Sequence, residues 1–298
     1  MYPFAILIGG PTASKKTQLA FEIQNKFPSF VVNSDSMQVY NKLKLLTNSP
    51  SKTEIKKHSC KLYQFINYPE KCDVAFWLKN VKGILSDEKK RVPIFVGGTG
   101  LYLDSLKGTM SHIPKIPKKI ELKIKLLHSK LGNLHFYNKL KKVDPKYCEK
   151  ISYNDSQRLL RAIMVKVATG KSLTYWHSRV KAKLFKKLLY VVIFEKREKL
   201  YESINKRCLK ILKSSAVDEV SDFLKIRKSL DHPLHKSIGL NFFEDYITGR
   251  RSFEETLELF RKDTRQYAKR QYTWFKNRSS DAIKMDYMNA KSYILKNI

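Results

Sequence analysis

The clearest chemistry in this sequence lies between Gly9 and Thr17, Gly-Gly-Pro-Thr-Ala-Ser-Lys-Lys-Thr. From Gly10 through Pro11, Thr12, Ala13, Ser14, Lys15 and Lys16 to Thr17 it fits the phosphate-binding pattern G-x-x-x-x-G-K-[ST] at every position except 15. Backbone N–H groups of such a loop, and of the helix it opens, converge on one anion. Lys16 adds a positive charge for terminal phosphate oxygens, and Thr17 offers its hydroxyl to a Mg²⁺ shared with them. Lys15 stands where the pattern wants glycine, which tolerates positive φ and keeps a Cβ away from phosphate. The lysine adds charge and costs conformational ease. The expectation is a loop that still binds a diphosphate, in a distorted form.

Two further segments can meet that loop. Ser34-Asp35-Ser36-Met37-Gln38 follows a short apolar run, so Asp35 is expected at the C-terminal edge of a sheet, where ligands of open α/β folds bind. A carboxylate there can take a Mg²⁺, act as a general base or simply cap a turn. Gly97-Gly98-Thr99-Gly100 follows a second such run. A nucleotide hydrolase usually carries an aspartate there to help hold Mg²⁺. Two glycines and a hydroxyl in its place weaken the hydrolase reading.

The elements that must position these groups follow from periodicity. Phe4 to Ile8 reads as a strand, and Leu19, Ala20, Ile23 and Phe27 as the buried side of a helix. Phe30 to Asn33 is a strand, residues 41–61 are irregular, and Leu62 to Ile66 is expected to be another strand. Val74 to Lys89 is an amphipathic helix. Val92 to Val96 is a strand, with a helix from Leu101. Pro114 and Pro117 break the pattern, after which residues 118–182 look all-helical. One helix carries Ile120, Ile124, Leu127 and Leu131; another carries Leu159, Ile163 and Val167, capped by Asn154-Asp155 and stopped at Gly170. On the latter Arg158 and Arg161 share a face. Leu188 to Phe194 returns to strand, residues 197–230 are helical, and Lys236-Ser237-Ile238-Gly239-Leu240 turns into the next helix. A last long helix, about 252–276, buries Phe253, Leu257, Phe260, Thr264, Tyr267, Gln271 and Trp274. It exposes a basic stripe of Lys262, Arg265, Lys269 and Lys276. Ala282 to Met285 closes the sheet.

The chain of 298 residues, 42% hydrophobic, can build one large domain or two ordinary ones. The absence of a long apolar run and of a signal-peptide pattern argues against a membrane. Cys60, Cys72, Cys148 and Cys208 are scattered, which points to a reducing cytoplasm and away from disulfide or metal frameworks. A net charge of +32 argues for a polyanionic partner, nucleic acid first, although a lysine-rich proteome would produce part of the excess.

Five segments together resemble the tRNA dimethylallyltransferases, also called tRNA isopentenyltransferases. They are Gly10 to Thr17, Asn33 to Tyr40, Val96 to Leu103, Asn154-Asp155 with Gln157-Arg158-Leu159-Leu160-Arg161, and Arg265 to Phe275. They stand in the family's order and span nearly the whole chain. The resemblance implies an α/β fold: a P-loop-type parallel sheet core with helices on both faces and an inserted all-helical domain. It divides the chain into a first core part (1–112), a helical insertion binding the anticodon stem-loop (113–182) and a second core part with a basic C-terminal helix (183–298).

The implied reaction moves a dimethylallyl group from dimethylallyl diphosphate to the exocyclic amine of the adenosine 3′ of the anticodon, in tRNAs reading codons that begin with U. The P-loop would hold the donor diphosphate with Mg²⁺ on Thr17. Asp35 would accept from the amine and act as base, and Thr99 would assist the leaving group. Further tRNA contacts are implied at Ser36, Met37 and Gln38; at Gln157, Arg158, Leu159, Leu160 and Arg161; at Lys236, Ser237, Ile238, Gly239, Leu240 and Asn241; and at Lys269, Arg270, Gln271 and Lys276. A monomer is implied. Lys15 and Leu240, the latter where the family usually has tyrosine, depart from the pattern, so an active but slowed enzyme is expected. The competing readings are a P-loop small-molecule or nucleotide kinase, and an inactive tRNA-binding descendant.

Overall fold

The computed structural model describes residues 1–111, 113–179, 183–228 and 231–298. The chain forms two compact units, Met1–Lys107 with Lys183–Ile298, and Gly108–Ala182. The helical insertion thus begins at Gly108, which takes φ 74°, rather than at 113. Its expected end at 180–182, the last two residues of the 197–230 helical stretch, and position 112 lie outside the described residues.

The first unit starts with β1 (Tyr2–Gly9), α1 (Lys16–Gln24) and β2 (Ser29–Asn33), then α2 (Lys52–Lys57), α3 (Val74–Asp87), β3 (Val92–Gly97) and α4 (Gly100–Leu106). The second unit holds α5 (Lys118–Val143), α6 (Pro145–Cys148), α7 (Ser156–Thr169) and α8 (Leu173–Ser178). The first unit resumes with β4 (Phe185–Ile193), α9 (Arg197–Leu212), α10 (Ala216–Ile226), a 3₁₀ turn (Pro233–Lys236), α11 (Leu240–Ile247), α12 (Phe253–Arg278), β5 (Ile283–Met285) and α13 (Tyr287–Lys296).

The strands run parallel in the order β2-β3-β1-β4-β5. Parallel sheets are covered on both faces, and the continuous apolar runs reflect this. Ala5 and Leu7 of β1 join one core with Phe30, Val32, Phe95, Tyr190 and Val192, whereas Ile6 and Ile8 join the other with Val31, Ile94, Val96 and Val191. β1, β2 and β3 end at Gly9, Asn33 and Gly97, so their following loops emerge at one edge.

Three local expectations are corrected. Leu62 to Ile66 is no strand: Leu62 and Gln64 take φ 60° and 52°, and only the isolated bridges Val32–Lys61 and Tyr40–Ile66 form. Phe27 lies beyond the end of α1. In the second unit, Gly132 interrupts α5 with φ 71° and ψ 179°. Ile124 is buried there, but Leu131 beside the kink is exposed, as is Val167 of α7. The expected caps of α7 are present: Asp155 accepts from the Arg158 N–H, and Gly170 closes the helix in the left-handed conformation.

Candidate functional site

The sheet edge opens into a cavity of about 860 Å³ within the first unit, lined by Thr12, Ala13, Lys15, Lys16 and Thr17 of the P-loop and by residues 35–38. The P-loop backbone carries the strain anticipated at position 15. Lys15 sits at φ 60° and ψ 17°, with Ala13 also at φ 64°. The left-handed conformation costs an L-residue about 1–2 kcal/mol. Lys15 is exposed at the cavity mouth, while Lys16 reaches back to the Pro11 carbonyl at 2.8 Å. Burial and then the Arg207 charge bring the Lys16 ammonium down to about 8, against the pull of Asp35.

Arg207 was not legible as a functional residue in the sequence. It stands on α9 with the buried Ile204, Cys208 and Ile211 at helical spacing, and donates from Nη1 to the Thr12 hydroxyl at 2.8 Å. Burial depresses its pKa as well. A cation on the apolar side of an amphipathic helix was the available signal, hidden among the surrounding lysines. The cavity is thus lined by Lys16 and Arg207 from two elements, with Lys15, Lys199 and Lys206 around them.

Asp35 sits opposite. Asn33 Oδ1 accepts its N–H at 2.9 Å, and Asn33 Nδ2 donates to its carbonyl at 3.0 Å, fixing the turn. Its Oδ1 accepts from the Met37 N–H at 2.9 Å. Trp77, fully buried, braces the same strand end by donating from Nε1 to the Asn33 carbonyl at 2.9 Å. Thr99 lies next to this turn but does not line the cavity. Its hydroxyl accepts from the Ser36 N–H at 2.9 Å and donates to the Ser36 hydroxyl at 3.2 Å. Tyr267 lines the wall on α12, its phenol pKa pushed up by burial and by Asp35.

The remaining sequence-derived contacts divide by burial. Gln157, Arg158 and Arg161 are exposed on α7 in the second unit, whereas Leu159 is fully buried and Leu160 half-buried. Lys236, Asn241, Lys269, Arg270 and Lys276 are exposed. Arg270, Lys236, Ser237 and Ile238 line the cavity, and so do Ser36, Met37 and Gln38. Gln38 also holds the neighbouring loop, donating to the carbonyls of Thr47 and Asn48 at 3.1 and 2.9 Å. Three assignments to RNA contact are corrected. Leu159 and Leu240 belong to hydrophobic cores, and Gln271 is 6% exposed with both amide atoms bonded inside the site. Arg265 leaves the basic stripe, bonding Asn205 Oδ1 at 3.1 and 2.9 Å.

A parallel sheet, a P-loop-like turn between β1 and α1, cationic side chains around that turn and a facing carboxylate define a P-loop-type α/β protein. The model of the IPP transferase family matches residues 38–278, and the chain belongs to that family. The tRNA dimethylallyltransferase of Pelagibacter ubique is 41% identical over 296 residues, covering 98% of this chain and 94% of that protein. The tRNA dimethylallyltransferase of Bartonella henselae is 40% identical over 276 residues, covering 91% and 94%. Among solved structures, a eukaryotic dimethylallyltransferase acting on tRNA aligns with TM-score 0.81 at 25% identity, covering 95% of this chain and 74% of that one. The tRNA Δ(2)-isopentenylpyrophosphate transferase of Staphylococcus epidermidis aligns with TM-score 0.68 at 29% identity, covering 99% and 98%.

Proposed function

We propose that the protein transfers a dimethylallyl group from dimethylallyl diphosphate to the exocyclic amine of the adenosine 3′ of the anticodon, in tRNAs reading codons that begin with U. The observation that carries this reading is the pair of cations, Lys16 at the P-loop and Arg207 on α9, sharing one cavity with Asp35, with glycines rather than a carboxylate ending β3. That arrangement suits a diphosphate that leaves intact better than a nucleotide that is hydrolysed.

The amine nitrogen attacks C1 of the dimethylallyl group as the C1–O bond breaks, and the electron pair leaves on diphosphate. Lys16, Arg207 and the loop amides stabilise the charge growing on that leaving group. Asp35 accepts the amine proton and passes it to solvent. An allylic carbon ionises readily, so orienting the base contributes more than the strength of Asp35 as a base. Thr99, which stands behind Ser36 rather than in the cavity lining, would assist the leaving group only once its hydroxyl turns its proton from the Ser36 hydroxyl toward the donor. The target base must be splayed out of its loop to reach the cavity.

The residues fit Mg²⁺. Thr17 offers an oxygen at the cavity, and the buried Ser14 hydroxyl has no partner. Among the described residues no group of three or more His, Cys, Asp or Glu could hold a metal. A shell completed by phosphate and water oxygens is the way Mg²⁺ is usually held. Bound there, Mg²⁺ supplies charge neutralisation on the diphosphate. No helix among the described residues is long and apolar enough to cross a membrane. The protein is read as a monomer working in the cytoplasm, a compartment that keeps thiols such as its four cysteines reduced.

The test is to mix the protein with tRNA, Mg²⁺ and labelled dimethylallyl diphosphate and to look for label in RNA. Label is expected there, and Asp35→Ala and Arg207→Ala should each lower transfer by about 10²–10³ with tRNA affinity nearly intact. Robust ATP turnover without tRNA, in place of label transfer, would mark a kinase instead.

A further inference from the structure

Gln271 has a use that its place in an RNA-facing basic helix conceals. Its side-chain Oε1 accepts from the Thr12 N–H at 2.8 Å, and its Nε2 donates to the Gly98 carbonyl at 2.9 Å. One amide thus joins the phosphate-binding loop to the loop carrying Thr99. Both bonds are buried, where an unmade hydrogen bond is most costly. The orientation of the amide is dictated by its partners, since one needs an acceptor and the other a donor.

The surroundings fit this bridge and little else. A Cβ on Gly98 would lie 2.1 Å from Gln271 Nε2, so glycine is needed at 98 for the amide to enter. One turn further along α12, Trp274 packs so closely that a Cβ on Gly100 would lie 1.8 Å from its Nε1. The helix is rigidly held: Ser252 and Glu255 form a capping box at its start, and Phe260 and Phe275 are buried on either side of Gln271. The loops on either side of Gln271 carry the chemistry. Thr12, whose N–H the amide holds, anchors Arg207 through its hydroxyl. Gly98 precedes Thr99, whose hydroxyl holds the Ser36 N–H beside Asp35.

We propose that Gln271 is a positioning residue that sets the distance and angle between the diphosphate cradle and the Asp35–Thr99 pair, and that it makes no contact with RNA. The proposal rests on the reading of the cavity as a diphosphate site. Gln271→Leu removes both bonds without adding bulk. It should lower kcat for prenyl transfer at saturating tRNA by tenfold or more and weaken inorganic pyrophosphate binding, followed by tryptophan fluorescence, by a similar factor. The tRNA Kd should stay within about twofold. Gln271→Glu adds a diagnostic feature. Ionised, it sets a carboxylate against the Gly98 carbonyl; protonated, its O–H can donate there and restore the bridge. Its transfer rate relative to the unsubstituted protein should therefore climb as pH falls from 8 to 6, while Gln271→Leu tracks the unsubstituted profile.

Should Gln271→Leu fail to fold, Gly98→Ala reads the same contact. It should cost tenfold or more alone, yet under threefold when added to Gln271→Ala, because the clash is with the amide. Equal cost in both backgrounds would overturn the proposal. So would a raised tRNA Kd with unchanged kcat, or a flat relative pH profile for Gln271→Glu. If the unsubstituted protein transfers no label, the reading of its function fails. The bridge is then judged by pyrophosphate binding, and unchanged binding in Gln271→Leu rejects it.

Discussion

Lys15 presents the sharpest conflict between residue type and backbone at this site. A non-glycine residue at φ 60° is held there by the loop on both sides, since Lys16 grips the Pro11 carbonyl and Leu19 donates to the Lys15 carbonyl at 3.0 Å. Lys15→Gly and Lys15→Ala both remove the exposed charge, but only glycine relieves the conformation. In chemical denaturation Lys15→Gly should be more stable than Lys15→Ala by about 1 kcal/mol. It should also bind the donor at least as tightly as the unsubstituted protein. Lys16 sets a pH limit on the same site. Its pKa, about 8, should be raised by an arriving polyanion, so binding above pH 8 takes up a proton. Donor affinity should be level below pH 8 and fall above it, by up to about tenfold per pH unit. Calorimetry in buffers of differing ionisation enthalpy reads the proton directly.

At the scale of elements, α12 and α7 show two uses of a capped helix. α12 carries basic residues on its outer side and, on its inner side, an amide that joins two loops of the site. Its spacing of apolar positions is plain in the sequence; that the polar Gln271 would face inward with them is also visible, but its partners are 259 and 173 residues away. α7 depends more on local signals. Asp155 accepts from the Arg158 N–H at 3.1 Å and pairs with the Arg158 guanidinium at 3.3 Å. Asp155→Ala should destabilise the helical unit by about 1 kcal/mol, read by denaturant unfolding. Pyrophosphate affinity should not change, because every described residue lining the cavity belongs to the first unit.

For the whole molecule, the charge of +32 sets the salt dependence of RNA binding. Arg158, Arg161, Lys269, Arg270 and Lys276 are exposed and suited to phosphates. If each meets one phosphate of a tRNA loop, log Kd should rise against log salt with a slope of about 3.5. A slope near zero in filter binding from 50 to 200 mM salt, roughly the range over which such contacts are lost, would remove the charge argument.

Local sequence was enough for the P-loop, the caps of α7, the strands and the belonging together of Asp35 and Thr99 at one sheet edge. The first three depend on near neighbours, on continuous apolar runs or on a 3.6-residue period, and the last on the rule that parallel strands present their C-terminal loops at one edge, all of which can be read along the chain. Tertiary structure alone decided that Arg207 completes the cationic cradle, that Leu62 to Ile66 is not a strand, and that the inward-facing Gln271 joins Thr12 to Gly98. Those outcomes depend on groups far apart in sequence, brought within hydrogen-bond range by burial, and no local pattern encodes which distant carbonyl or hydroxyl a side chain will meet.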